Sequence, residues 1–288
     1  MGTDARSVSI VIPALNEAAV IGQVVGELVA RFPEAEVIVV NDGSTDDTAK
    51  QAAAAGGRVI DHRRQLGYGA ALRTGTEAAE REYVLFCDGD GQHTTQDVGR
   101  LIQECNGYDM VVGVRGADSH SAVIRRPGKR VLAWFANVLA SEKIPDINSG
   151  LRVFKRAVLL RCIHLMPQGF SFSTTSTFAM LKSRRLIKYV PITVKARVGE
   201  STVRQWRHGL ETLLLMLRLT VLFEPLKVFL TVSAGLLLLS VVSLLIDLVF
   251  GKGGVGDSTV LLGISALLVF LFGLLCDQVS AMRRDSHL

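Results

Sequence analysis

The sequence predicts an α/β domain, with a mostly parallel sheet covered on both faces, followed by a membrane-spanning helical hairpin. Three observations predict it. Short β-branched runs alternate with helical stretches through about the first 200 residues. Those runs are apolar throughout, as strands are when a parallel sheet is buried on both sides. From Lys227 onward the chain becomes strongly apolar, in two long runs. A chain of 288 residues accommodates one large domain or two smaller ones.

The elements follow in order. Ser9-Ile10-Val11-Ile12 reads as a strand, and Glu17 to Arg31 as an amphipathic helix. Val37-Ile38-Val39-Val40 is a second strand that ends in Asn41-Asp42-Gly43-Ser44. Ser44, with Asp47 three residues on, resembles a capping box opening the next helix. Arg58-Val59-Ile60 is a short third strand, and a helix from about Gly69 to Glu80 follows. Tyr83 to Phe86 and Met110 to Gly113 are the fourth and fifth strands. A further helix is expected over Val131 to Leu139, just after the basic cluster Arg125, Arg126, Lys129 and Arg130. In parallel sheets ligands gather at the carboxyl ends of strands. Asp42, Asp88, Asp90 and Arg115 each fall just past one, so a site is expected there.

Val228 to Phe250 is 23 residues with one charge, Asp247, and Thr259 to Cys276 is 18 residues with none. A span takes about 20 apolar residues. Between them lies Gly251-Lys252-Gly253-Gly254-Val255-Gly256-Asp257-Ser258, a turn-forming stretch that makes the two runs a hairpin. Arg204, Arg207, Arg218 and Lys227 precede the first run, and Arg283 and Arg284 follow the second. Basic flanks mark the cytoplasmic side, so both ends and the first domain are expected there. The alternative is a pair of buried core helices. The preceding stretch, Arg204 to Phe223, reads as an interfacial helix on an anionic leaflet or as an ordinary soluble-domain helix. The expected domains are thus residues 1–203, 204–226 and 227–282.

Composition excludes several classes. Cys87, Cys105, Cys162 and Cys276 are widely spaced with no CxxC pair, which argues against disulfides and a zinc site and suits a reducing compartment. The first residues have no apolar signal core, and Arg6 stands where a myristoylation signal has Ser or Thr. A net charge of +5 is mild, and the basic residues gather near the apolar runs, so nucleic-acid binding is not expected.

Phe86-Cys87-Asp88-Gly89-Asp90-Gly91-Gln92-His93 follows a buried strand. Two carboxylates separated by one glycine can face one point. Hard oxygen ligands of that kind suit Mg²⁺ or Mn²⁺ carried in with a diphosphate. Such a metal neutralises charge on a departing phosphate. His93 is either a second metal ligand or a structural hydrogen-bonding group; His62 and His164 are given no role.

Several blocks carry a resemblance. Ile10-Val11-Ile12-Pro13-Ala14-Leu15-Asn16-Glu17, Val40-Asn41-Asp42-Gly43-Ser44-Thr45-Asp46-Asp47-Thr48 and Cys87-Asp88-Gly89-Asp90-Gly91-Gln92-His93 resemble the signature blocks of family 2 inverting glycosyltransferases. The closer likeness is to the dolichyl-phosphate mannose synthase-like branch, including membrane-anchored bacterial polyprenyl-phosphate glycosyltransferases. Further matches are Gly67 to Gly75, Val112 to Arg115, Asp146 to Arg152 and Arg197 to Ser201. The likeness covers about residues 7 to 205, and it is the order and spacing of the blocks that are specific.

The resemblance implies an A-type, Rossmann-like glycosyltransferase domain and a set of roles. Pro13, Leu15 and Glu17 would line the nucleoside pocket, and Asp42 would hold base or ribose. Asp88, Gly89, Asp90 and Gln92 would meet the nucleotide diphosphate-sugar, with the metal on Asp88, Asp90 and Gln92. Arg115 and Arg130 would hold anionic oxygens of donor and lipid phosphate, with Arg126 and Lys129 beside Arg130. Arg197 would close over the donor. The family usually has Lys after the Ser of this last block; here Thr202 stands there, and Arg204 is the nearest cation to replace it. Asp146 is the fallback general base. The expected reaction moves a hexose from a nucleotide sugar of GDP-mannose or UDP-glucose type to polyprenyl phosphate. Small residues (Gly235, Ser240, Ser243, or Gly263, Ser265, Ala266) would allow a homo-oligomer through the hairpin. The alternatives are a polysaccharide-forming or soluble-acceptor enzyme, and a noncatalytic partner of a lipid-sugar transport system.

Overall fold

The structure, a computed structural model, describes residues 5–116, 144–147, 149–169, 171–194, 214, 217, 220–221, 224–250 and 254–285. The expected helix over Val131 to Leu139 and most of the 204–226 stretch lie outside them. The chain divides into two compact units, Met1–Met216 and Leu217–Leu288.

The first unit is built on seven strands: β1 (Val8–Ala14), β2 (Glu36–Asn41), β3 (Arg58–Asp61), β4 (Tyr83–Phe86), β5 (Met110–Arg115), β6 (Arg152–Lys155) and β7 (Ile187–Ile192). The helices are α1 (Ile21–Arg31), α2 (Thr48–Ala54), α3 (Tyr68–Ala78), α4 (Thr95–Glu104), α5 (Arg156–Cys162) and α6 (Phe172–Lys182). The sheet order is β3-β2-β1-β4-β6-β5-β7. All pairs are parallel except those of β6, which runs antiparallel to β4 and β5. Alternate residues of a strand point to opposite faces, and both faces are covered here. Ile10, Ile12, Leu85 and Val153 pack with Ile21, Val25 and Leu28 of α1 and Val98 and Leu101 of α4. Val11, Val84, Phe86 and Phe154 pack with Ala71 and Leu72 of α3 and Phe172 and Met180 of α6. That two-sided burial is why β1, β2, β4 and most of β5 carry no polar face.

Two local expectations are corrected. The first helix begins at Ile21, because Glu17 to Val20 form a turn in which the Glu17 carbonyl accepts from Val20 N and Ile21 N. Ser44 and Asp47 do not form a capping box. The Ser44 hydroxyl accepts from Asn16 N at 3.0 Å, and α2 opens at Thr48, whose N–H donates to Asp46 Oδ1 at 3.1 Å.

Strand β6 was not expected from the sequence, and it matters most for the site. Being antiparallel, it begins at the end where its parallel neighbours finish. Arg152 sits opposite Phe86 on one side and Val112 on the other. The segment leading into it is thereby carried to the ends of β4 and β5.

The second unit is a pair of helices, α7 (Pro225–Phe250) and α8 (Asp257–Asp285). Both are long and apolar enough to cross a membrane, with mean hydropathies of 2.5 and 2.6 in their most apolar stretches. Only 0% and 17% of those stretches are buried among the described residues. Ser233, Ser240 and Asp247 recur every seven residues on α7, as do Thr259, Ala266, Gly273 and Ser280 on α8. A seven-residue repeat keeps one seam facing its partner with a left-handed twist. Along the seam Ser233 Oγ donates to Ala266 O at 2.8 Å and Ser240 Oγ to Thr259 O at 2.9 Å. Asp247, the charge within the first run, accepts from Gly256 N at 2.9 Å and Thr259 Oγ1 at 2.7 Å. Ser240, Ser243 and Ala266, expected as contacts to neighbouring chains, are therefore used inside the hairpin.

Candidate active site

The site grows from the end of β4. Asp90 is 7% exposed, and its Oδ1 accepts from Gln92 N at 3.1 Å, which closes the turn after the carboxylate pair. Asp88 Oδ1 accepts from Tyr68 Oη at 2.9 Å, and its Oδ2 stands 3.6 Å from His93 Nε2. The end of β1 lies against this turn: a β-carbon on Gly89 would come within 3.3 Å of the Pro13 carbonyl. The negative potential of the pair is felt locally. The buried Cys87 thiol is pushed well up, first by burial and then by the charges of Asp88 and Asp90. The Tyr68 phenol is likewise raised by burial and then by Asp88, so it stays a proton donor through neutral pH.

Tyr68 is aimed by the loop before it. The Asp42 carboxylate accepts from Leu66 N and Gly67 N, both at 2.8 Å, and meets His62 Nδ1 at 2.7 Å. His62 Nε2 lies 2.9 Å from Thr74 Oγ1, which ties the loop back onto α3. Gly67 has φ +107°, a conformation other residues adopt at a cost, and it sits against the Gln168 carbonyl. That same carbonyl accepts from Gly69 N and Ala70 N at 2.7 and 3.1 Å. The start of α3 is thus occupied by the chain itself.

The loop before β6 brings the next group. Arg115, at the end of β5, holds Asp146 in a two-point pair: Nε to Oδ2 at 2.7 Å and Nη2 to Oδ1 at 2.8 Å. This pair, ahead of the desolvation it opposes, raises the Arg115 guanidinium further above its ordinary range. Gly150 lies directly against the Asp88 carboxylate, where any β-carbon would collide. Gly150→Ala is therefore expected to displace Asp88 and lower turnover by about tenfold or more, since misplacement by ~1 Å of a positioned group can cost a hundredfold. Thermal unfolding together with a transfer assay checks it; an unchanged rate in a folded variant would contradict it.

Beneath these groups is Arg152, 1% exposed. Its Nε donates to Ser149 O at 2.6 Å, Nη2 to Ile147 O at 2.9 Å, and Nη1 to Ser173 O and Thr177 Oγ1, both at 2.6 Å. Burial lowers its pKa to about 10, and the nearby Asp146 charge opposes the shift. One side chain thus binds the 147–149 loop to the first turns of α6.

The structure brings Pro13, Leu15, Glu17, Asp42, Asp88, Gly89, Asp90, Gln92, Arg115 and Asp146 to the carboxyl-end edge of one sheet. Arg126, Lys129, Arg130, Arg197 and Arg204 lie outside the described residues. Sequence reasoning passed over Tyr68 and Arg152, although both stand in blocks that carry the resemblance. Among the described residues no three His, Cys, Asp or Glu side chains are gathered as a closed metal cage. The donor set here is two acidic oxygen groups and an amide, Asp88, Asp90 and Gln92. It fits a hard divalent ion that completes its shell with water and substrate phosphates.

The mostly parallel sheet with a carboxylate pair at the end of its central strand is that of a glycosyltransferase of the GT-A fold, as the family match and the solved structures show. Among solved structures, glucosyl-3-phosphoglycerate synthase from Mycobacterium tuberculosis, in complex with Mg²⁺ and uridine-diphosphate, shares this fold. Its TM-score is 0.62 at 21% identity, over 75% of this chain and 79% of that one. The chain belongs to glycosyl transferase family 2, whose profile matches residues 9–163, and residues 224–282 match the GtrB C-terminal hairpin. It is 29% identical over 226 residues to undecaprenyl-phosphate mannosyltransferase of Micrococcus luteus, covering 69% of this chain and 93% of that protein. It is 27% identical over 194 residues to dodecaprenyl-phosphate galacturonate synthase of Rhizobium johnstonii, covering 62% and 56%.

Proposed function

We propose that the protein transfers a hexose from a nucleoside diphosphate sugar to a polyprenyl phosphate at the cytoplasmic leaflet, with inversion at the sugar carbon. The observation that carries this reading is one chain joining a family 2 domain to an exposed apolar hairpin. Two relatives named as polyprenyl-phosphate enzymes support it. The basic residues flanking the two runs support the cytoplasmic orientation.

In this reading Asp88, Asp90 and Gln92 hold Mg²⁺ or Mn²⁺, which supplies charge neutralisation at the departing diphosphate. Tyr68 fixes the rotamer of Asp88. Arg115, oriented by Asp146, presents its remaining N–H groups to an anionic oxygen. Asp146, with both oxygens engaged by Arg115, serves as an orienting partner rather than as the base. No strong base is needed, because a phosphate monoester with a second pKa of about 6 is already ionised near neutrality. One phosphate oxygen bonds to the anomeric carbon as the nucleoside diphosphate leaves with its bonding pair. Pro13, Leu15 and Glu17 line the nucleoside end. Asp42 orders the 62–67 loop and has at most one lone pair left for base or ribose. Arg126, Lys129 and Arg130 receive the lipid phosphate, and Arg197 and Arg204 close the donor side.

Supplying radiolabelled GDP-mannose, UDP-glucose and UDP-N-acetylglucosamine in turn, with a polyprenyl phosphate and Mg²⁺ or Mn²⁺, tests the reading. Label is expected in the organic phase with one donor. No organic-phase label with any of them would remove it.

A further inference from the structure

We infer that His62 is a positioning residue for sugar transfer: it locks Asp42 and the 62–67 loop, and through them holds Tyr68 against Asp88. The inference rests on the donor reading above and adds to it a residue that meets no substrate. His62 lies outside the blocks that carry the family resemblance, so its place in the fold is what argues for the role.

His62 is the first residue after β3. Its N–H donates to Asn41 O at 2.9 Å, which extends the pairing of β2 with β3 by one bond. The His62 side chain is 7% exposed and the Asp42 side chain 5%. Nδ1 meets the Asp42 carboxylate at 2.7 Å, and Nε2 meets Thr74 Oγ1 at 2.9 Å. Facing a carboxylate, Nδ1 carries a ring proton, and Nε2 then accepts from the Thr74 hydroxyl. Both ring nitrogens are thus used, and the ring ties the end of β2 to the middle of α3.

Asp42 passes that restraint on. The same carboxylate accepts from Leu66 N and Gly67 N, the two residues before Tyr68. The turn after β2 presses on this loop as well, since a β-carbon on Gly43 would come within 2.6 Å of Gln65 N. Tyr68 is the first residue of α3, and its Oη lies 2.9 Å from Asp88 Oδ1. Rotation of the Asp42 carboxylate would release both N–H groups at once, so the group that fixes its rotamer also fixes where Tyr68 starts. The acid at the end of β2 and the acid at the end of β4 are joined by this path, and His62 is its buried anchor.

A mutant cycle on the full-length protein in detergent tests this. The variants are His62→Leu, Tyr68→Phe, the two combined, and His62→Asn. In His62→Asn the amide N–H takes the place of Nδ1 and still reaches Asp42; Leu supplies no donor. The readouts are kcat with the nucleotide sugar that the unaltered protein uses, Mn²⁺ affinity with the matching nucleoside diphosphate by electron paramagnetic resonance, and thermal unfolding. The expected result is a kcat about tenfold lower in His62→Leu, the scale of one lost hydrogen bond to a charged group. His62→Asn is expected to stay within about threefold of the unaltered protein, and Mn²⁺ affinity to follow the same order. In the Tyr68→Phe background, His62→Leu is expected to cost less than about twofold, because the group it positions is already gone. Thr74→Val, which frees the ring at its other nitrogen, repeats the cycle and decides it alone should His62→Leu not fold. It is expected to lower kcat about threefold, and only while Tyr68 is present. Losses that add in the double variants, an unaffected His62→Leu, or equal losses in His62→Leu and His62→Asn would overturn the inference while leaving the donor reading intact. If the unaltered protein transfers no sugar from any donor, the donor reading fails and the inference with it.

Discussion

Asp90→Ala is expected to reduce sugar transfer by about 100- to 1,000-fold, the loss found when one preorganised electrostatic group is removed from a site of charge development. Asp90 is buried at the edge of the sheet, and its bond to Gln92 N is local, two residues along the chain. The radiolabel assay measures the rate, and Mn²⁺ binding in the presence of UDP, read by electron paramagnetic resonance, measures the ion. Both should fall together, while the unfolding temperature moves little. Retained turnover would mean that the carboxylate pair does not hold the ion.

The second large effect is expected on stability. Arg152→Met removes a guanidinium from a fully buried place. It takes the donor from the carbonyls of Ile147 and Ser149, while the Ser173 carbonyl and the Thr177 hydroxyl lose one bond each and stay bonded to one another. Each buried carbonyl left without its donor costs about 1–3 kcal/mol, so the two together cost roughly 2–6 kcal/mol. In a domain of this size that lowers the melting temperature by roughly 10 °C. Arg152→Lys keeps the charge but cannot span the same acceptors, so it should fall in between. Thermal unfolding followed by circular dichroism decides it; a Met variant as stable as the parent would refute the clamp. Transfer should drop as well, because the 147–149 loop connects Asp146, which orients Arg115, to Gly150, which backs Asp88.

How much of this was legible beforehand differs between elements, for physical reasons. Strands β1, β2, β4 and β5 were legible because both their faces are buried, so each is an apolar run. Strand β6 was not, since Arg152-Val153-Phe154-Lys155 shows two cations around two apolar residues. Only the acceptors supplied by α6 and the 147–149 loop make the first cation an interior residue. Asp42 was legible as a strand-end acid, but not as the acceptor of Leu66 N and Gly67 N, because those donors lie 24 and 25 residues away. The heptad of small and polar residues in α7 and α8 was open to view. Whether it faces a neighbour or its own partner helix depends on packing, and here the seam is internal to the hairpin.

The sequence by itself determined the alternation of strands and helices, the acidic turn at Asp88 and Asp90, and the two apolar helices. Each is written in local periodicity or composition, within one element's length. Only the tertiary structure decided that Tyr68 holds Asp88 across 20 residues, that Asp146 holds Arg115 across 31, and that Arg152 lies beneath them. Those pairings follow from sheet order and from the reversed direction of β6, which no single segment encodes.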